Sequence, residues 1–183
     1  MEPWREELSA RLADYAARAT DPGEAAMAAE YAPFIRTHAD CLLRTCVPGH
    51  LTGSAWIVDA TRRWTLLTHH HKLDRWLQLG GHVDGEPDLL ASALREAQEE
   101  SGLSSVLAAS PGIFDLDRHR IPTRGAEPEH WHYDVRFLIE ADRSEPLIVS
   151  GESKDLAWIE LARVASFNPS ESMARMVRKT QPA

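Results

Sequence analysis

Residues 80–103 read GGHVDGEPDLLASALREAQEESGL: a glycine pair, an acidic turn, then a stretch with helical spacing. Asp88 is a good N-cap, Leu89, Leu90, Ala93, Leu94 and Ala97 form an apolar stripe, and Gly102 stands where a helix can end in a left-handed residue. The pattern predicts a helix over about 89–101. Glu96, Glu99 and Glu100 then stand at i, i+3 and i+4, near one helix face. Bare like charges at those spacings repel by a few tenths of a kcal/mol per pair, so a cation over them would be favoured. A hard divalent cation bound through oxygen suits the set, and magnesium implies phosphate chemistry. A solvated face on which Arg95 pairs with Glu99 is the plainer reading of the same charges. Gly80 and Gly81 allow close backbone approach, which puts a Gly80 carbonyl within the candidate metal shell.

The run Arg95-Glu96-Ala97-Gln98-Glu99-Glu100-Ser101-Gly102-Leu103 resembles the R-E-U-x-E-E-x-G-U half of the Nudix box, where U is apolar, and the glycine pair lies at the right distance upstream. Counting from Gly81, Pro87 stands where the family carries a first glutamate, with Glu86 one residue early and Asp88 one late. In the family that glutamate braces the box arginine and its loop. The resemblance implies an α/β/α sandwich around a mixed sheet, and a Mg2+-dependent hydrolase, with Mn2+ able to substitute. Its substrate would be a nucleoside diphosphate linked to another moiety, such as a sugar nucleotide or an ADP-ribose-like compound. It also implies metal ligation by Gly80, Glu96, Glu99 and Glu100, and an orienting role for Arg95 on Glu96 or Glu99. Glu152, in Ser150-Gly151-Glu152-Ser153, resembles a late loop glutamate that binds metal or activates water in many members. Glu152, Glu99 and Arg95 are thus the expected catalytic set. The alternative is a nucleotide-binding module of the same fold that does not cleave, to which Pro87 points. Isomerase chemistry on this fold uses a pocket cysteine, whereas Cys41 and Cys46 lie in the N-terminal arm.

With 183 residues, 43% of them hydrophobic, the chain suits one catalytic domain plus an extension. A formal charge of −8 without a basic run repels long nucleic acid but tolerates a small metal-chelated nucleotide. Cys41 and Cys46 have neither disulfide-framework nor zinc spacing, and the N-terminus shows no basic or apolar signal. No long apolar run is present, so we expect a cytoplasmic protein with no membrane association.

Pro48-Gly49 separates an N-terminal helical extension, 1–47, from a catalytic domain, 48–183. Trp4, Leu8, Leu12 and Tyr15 share one helix face; a second helix from Glu24 to about Thr45 carries Met27, Tyr31, Ile35, Leu42 and Leu43. These apolar faces cover either the catalytic sheet or the same arm of a second subunit, and a homodimer is the expectation. Strands are predicted at 54–58 and 64–68 as a hairpin, then at 113–121, 130–139, 146–149 and 155–159. A loop spans 122–129, and a last helix from about Pro169 to Lys179 takes Asn168 as its N-cap.

Four residues are candidate phosphate or substrate contacts. His82 follows the glycine turn, and Arg118 and Arg120 share one strand face with the fork geometry that suits phosphate. His132 alternates with His130, so both point to one face with Asp134. A His-x-His pair suits zinc, but no cysteine or third histidine has matching spacing, which favours half-exposed strand residues or substrate contacts. Trp131 and Tyr133 point the other way, so one set should be buried, with the aromatics in the core.

Overall fold

In the computed structural model the described residues are 2–123, 125, 127–151 and 153–181. Two helices, α1 (Pro3–Arg18) and α2 (Pro22–Thr37), precede a curled mixed sheet of β1 (Gly49–Val58), β2 (Trp64–His70), β3 (Arg75–Leu77), β4 (Leu79–His82), β5 (Leu107–Ala108), β6 (Asp115–Ile121), β7 (His130–Glu140) and β8 (Ser153–Glu160). Helix α3 (Leu89–Ser101) lies between β4 and β5, and α4 (Val164–Phe167) and α5 (Glu171–Thr180) follow β8. The expected α/β architecture with a two-helix N-terminal extension is present.

The sheet is organised around β1 and β7, which run parallel and in register from Gly49↔Trp131 to Val58↔Glu140. The other edge of β1 is shared: its first half pairs antiparallel with β4, as in Ser54↔Gly80, and its last residues pair with β2, as in Ile57↔Leu66. The free side of β7 is divided the same way between β6 and β5. Alternation along paired strands then sorts side chains by face. Leu51, Ala55, Leu79, Tyr133, Val135 and Phe137 point to the face covered by α1, α2 and α3 and join one core with Leu8, Leu12, Tyr31, Phe34 and Ile35. Trp56, Val58, Leu67 and Leu138 point to the other face, where Met173 and Met176 of α5 cover them.

The N-terminal arm therefore packs on its own sheet: Leu8, Leu12, Tyr15, Tyr31 and Ile35 are buried there, whereas Leu43 is exposed. Burying side chains such as Leu12 or Ile35 stabilises by about 1.5–3 kcal/mol each, so the arm is held firmly. At the free edge of β6 the two layers meet. Lys179 of α5 reaches Tyr15 of α1, Glu24 of α2 and Asp115 of β6, at 3.0, 3.2 and 3.2 Å.

Four expectations need correction. The second helix ends at Thr37 rather than near 45, because the buried Arg5 guanidinium takes the carbonyls of Ile35, His38 and Ala39 and turns the chain. Cys41 and Cys46 thus sit in a turn segment, both free and buried. Residues 146–149 are not a strand. They form an irregular strap in which the Ile148 amide donates to the Ser101 carbonyl at 2.8 Å and the Ile148 side chain lies over Gly102. The last helix is capped by Ser170, whose Oγ accepts from Met173; Asn168 instead donates to the Trp76 carbonyl. Finally, Tyr133 and His130 are both buried, because helices cover one face of β7 and a histidine cluster fills the other.

The remaining expectations are met more closely. The 54–58 and 64–68 hairpin forms with its turn held by Asp59, which accepts from the Arg63 and Trp64 amides at 3.1 Å. The 122–129 segment joins β6 to β7, with Arg124 and Ala126 outside the described residues. No helix among the described residues is long and apolar enough to cross a membrane.

Candidate active site

Helix α3 has the bounds its local signals predict: the Asp88 carboxylate accepts from the Leu90 and Ala91 amides, and Gly102 closes it at φ 74°. It lies across β1 and β4, and a Cβ added at Gly53 would stand 2.9 Å from the Leu89 carbonyl oxygen. That close approach brings two box glutamates onto the glycine pair. Glu100 is buried, 6% exposed, and its Oε2 accepts from the Gly80 amide at 3.2 Å. Glu96 occupies the space above Gly81, where a Cβ would come within 2.7 Å of its Oε2. Glu99 is the exposed member.

Arg95 stands between them. Its Nη1 lies 2.8 Å from Glu96 and 3.1 Å from Glu99, and its Nη2 donates to the His82 carbonyl at 3.1 Å. It ties the middle of the box helix to the end of β4 and partly neutralises two carboxylates. The donor set of Glu96, Glu99 and Glu100 is oxygen only, which fits a hard divalent cation.

Pro87 has a local consequence. Glu86 accepts from the Asp88 amide at 2.9 Å and Asp88 caps the helix, so neither carboxylate braces Arg95. The loop is held from outside instead: Arg44 makes a two-pronged contact to Asp84 at 2.9 and 2.7 Å, and the Gly85 amide donates to Leu42 at 3.0 Å.

The four candidate substrate contacts are divided between the faces. Arg118 lies on the side of the arm, paired with Glu30 at 2.5 Å and stacked over Trp131 at 4.5 Å. Arg120 pairs with Glu129 on the same side. His82 and His132 lie on the opposite face, in a group of rings with His50, His119 and His130 whose neighbouring centroids are 4.7–5.4 Å apart. Burial, then the charges of neighbouring imidazoles, pushes His50 down to about 3 and His132 to about 2; burial and Arg44 also lower His82. Glu152 lies outside the described residues.

Sequence reading missed His50 and the buried charges beneath the cluster. His50 had no motif, and only the β1–β7 register sets it beside His132. Below the rings, Asp134 accepts from Thr52, Ser54 and Gln78, and the buried Arg136 reaches Asp134, Asp115 and Asp117 at 2.8, 3.1 and 3.0 Å. Burial alone would raise Asp117, but the His119 contact and the Arg136 charge hold it at about 2.

Comparison with known proteins agrees with this architecture. The family model of the NUDIX domain matches residues 50–179. An Ap4A hydrolase from C. elegans, solved as a binary complex, superposes with a TM-score of 0.52 at 17% identity, over 70% of this chain and 93% of that one. A NUDIX-family hydrolase from Clostridium perfringens gives 0.50 at 23% identity, over 72% and 95%. An ADP-ribose pyrophosphatase from Streptococcus suis gives 0.51 at 17% identity, over 72% and 92%. No curated protein matches the chain. The family model spans well over half of the sequence and includes the glycine pair, the acidic helix and the strands that hold them, and the chain belongs to the NUDIX family of hydrolases.

Proposed function

We propose that this Nudix pyrophosphohydrolase cleaves the diphosphate bond of a nucleoside diphosphate linked to another group, an ADP-ribose-like compound or a sugar nucleotide, with Mg2+ as its ion and Mn2+ able to replace it. The reading rests on one observation above all: Glu100 and Glu96 are pressed against the Gly80-Gly81 backbone by the packing of α3 on β1. The structural likeness to an ADP-ribose pyrophosphatase supports the substrate class. The chain's own charge of −8 weighs against long nucleic acid.

In this reading Glu96, Glu99 and Glu100, with a Gly80 carbonyl, hold the cation. When bound, it would neutralise charge on the phosphoryl oxygens and polarise a water for in-line attack. Arg95 orients Glu96 and Glu99. Glu152 or one of the helix glutamates takes the proton from the attacking water. His82 and His132 on one face of the sheet, and Arg118 and Arg120 on the other, are the candidate substrate contacts. Residues 48–183 carry the chemistry, the 1–47 extension roofs the sheet, and the protein works in the cytoplasm.

The test is release of nucleoside monophosphate from a panel of nucleoside diphosphate derivatives, with Mg2+, with Mn2+ and with chelator. Metal-dependent cleavage of one class is expected. Binding of a nucleotide, seen as thermal stabilisation, with no cleavage of any compound would overturn it in favour of a non-catalytic module. A finer check uses Gly81→Ala. The added Cβ meets the flexible end of Glu96 rather than backbone, so the melting curve should move by less than about 1 kcal/mol equivalent while kcat falls at least about tenfold. Unchanged kcat would remove Glu96 from the site.

A further inference from the structure

We propose that His50, His130 and His132 form a binding site for a zinc-class transition-metal ion, distinct from the carboxylate site on α3. The parallel register sets His50 opposite His132, and the strand pleat places His130 on the same face. One ring nitrogen from each of the three lies within 4.8 Å of the others, the only such donor trio among the described residues.

Three further observations point to a ligand. Nε2 of His130 and Nε2 of His132 are 3.3 Å apart, the separation of two nitrogens each about 2.0–2.1 Å from one tetrahedral ion. Nδ1 of His130 lies 2.9 Å from the Pro128 carbonyl oxygen, which can only accept, so the proton sits on Nδ1 and Nε2 presents a bare lone pair. His50 is 1% exposed, and neither of its ring nitrogens has a hydrogen-bond partner among the described residues. A buried polar group left so costs about 1–3 kcal/mol, which coordination would relieve.

The donors are imidazoles, which suit zinc, copper or nickel and not magnesium. Glu127, with Oε1 3.8 Å from Nε2 of His130, is a nearby carboxylate that would complete four ligands. The pleat separates this group from the acidic helix: His82 and His132 project away from the face on which α3 packs. The two sites would therefore sort metals by chemistry, oxygen donors taking the hard ion and nitrogen donors the softer one.

The test is titration of chelator-treated full-length protein with Co2+, followed by its visible absorption, and then with Zn2+. One equivalent of Co2+ in a tetrahedral environment is expected, displaced by Zn2+ and untouched by excess Mg2+. His132→Gln, checked by circular dichroism, should weaken binding by more than the roughly 10- to 100-fold that loss of an outer-shell partner costs, while Glu100→Gln should bind as the parent does. If His132→Gln does not fold, the parent protein decides: absence of a tetrahedral band at one equivalent overturns the proposal. Cobalt bound equally by His132→Gln but lost in Glu100→Gln would overturn it too, by placing the ion at the carboxylates.

Discussion

Glu100→Gln is expected to lower turnover on the cleaved substrate by roughly 10²- to 10⁴-fold with a nearly unchanged melting temperature. The substitution is nearly isosteric. Glutamine keeps an oxygen that can accept from the Gly80 amide, so the contact that seats α3 on β4 survives. What disappears is a negative charge in a site 6% exposed to solvent, where the attraction for a divalent cation is strong. Steady-state kinetics at several Mg2+ concentrations, beside a melting curve, separate the two effects. Turnover within about threefold of the parent would exclude Glu100 as a metal ligand.

Arg136→Met should have the largest effect on stability, a loss of about 3–5 kcal/mol, because it leaves carboxylates buried without their cation. Arg136 is 3% exposed and serves Asp134, Asp115 and Asp117 together, while Arg175 and Lys179 compensate only Asp115 closely. For a chain of this size the melting temperature would fall by roughly 6–20 °C. The pH dependence has a definite sign. Asp117, held at about 2, contributes stability above the ordinary carboxylate range that is lost as pH falls through its folded value. Without Arg136 that contribution shrinks, so the gap between variant and parent should be widest near neutrality and narrow below about pH 4. Equal melting curves at neutral pH would mean that the carboxylates find other partners.

These two residues differ in how far the sequence announces them. Glu100 belongs to a helix whose cap, stripe and terminating glycine are local signals within a short stretch, and the structure places each as read. Arg136 and His50 belong to strands covered on both faces. All ten residues of β1 are buried, so no alternation of apolar and polar side chains marks where it begins, and its first half went unread. The histidine trio exists only after β1 and β7 are paired, and the charge network only after β6 joins β7. Spacing along the chain carries no trace of such a pairing. The Asn168 cap failed for a simpler reason: two residues that can cap lie two positions apart, and tertiary contact with Trp76 decided between them.

The β1–β7 pairing also governs how the protein is made. Thr52 and Asp134, which meet across it, are 82 positions apart, and everything from the first hairpin to β6 lies in the loop they close. Closing a loop of that length costs roughly 4 kcal/mol of chain entropy before either strand gains its ladder, so the pairing should be a late and slow event in folding. The acidic helix can form early from its own caps, but β4 gains a complete β1 to lean on only when β7 arrives. A nascent chain that has not yet emerged past about residue 140 therefore contains the whole box, and yet cannot hold the site that the box serves.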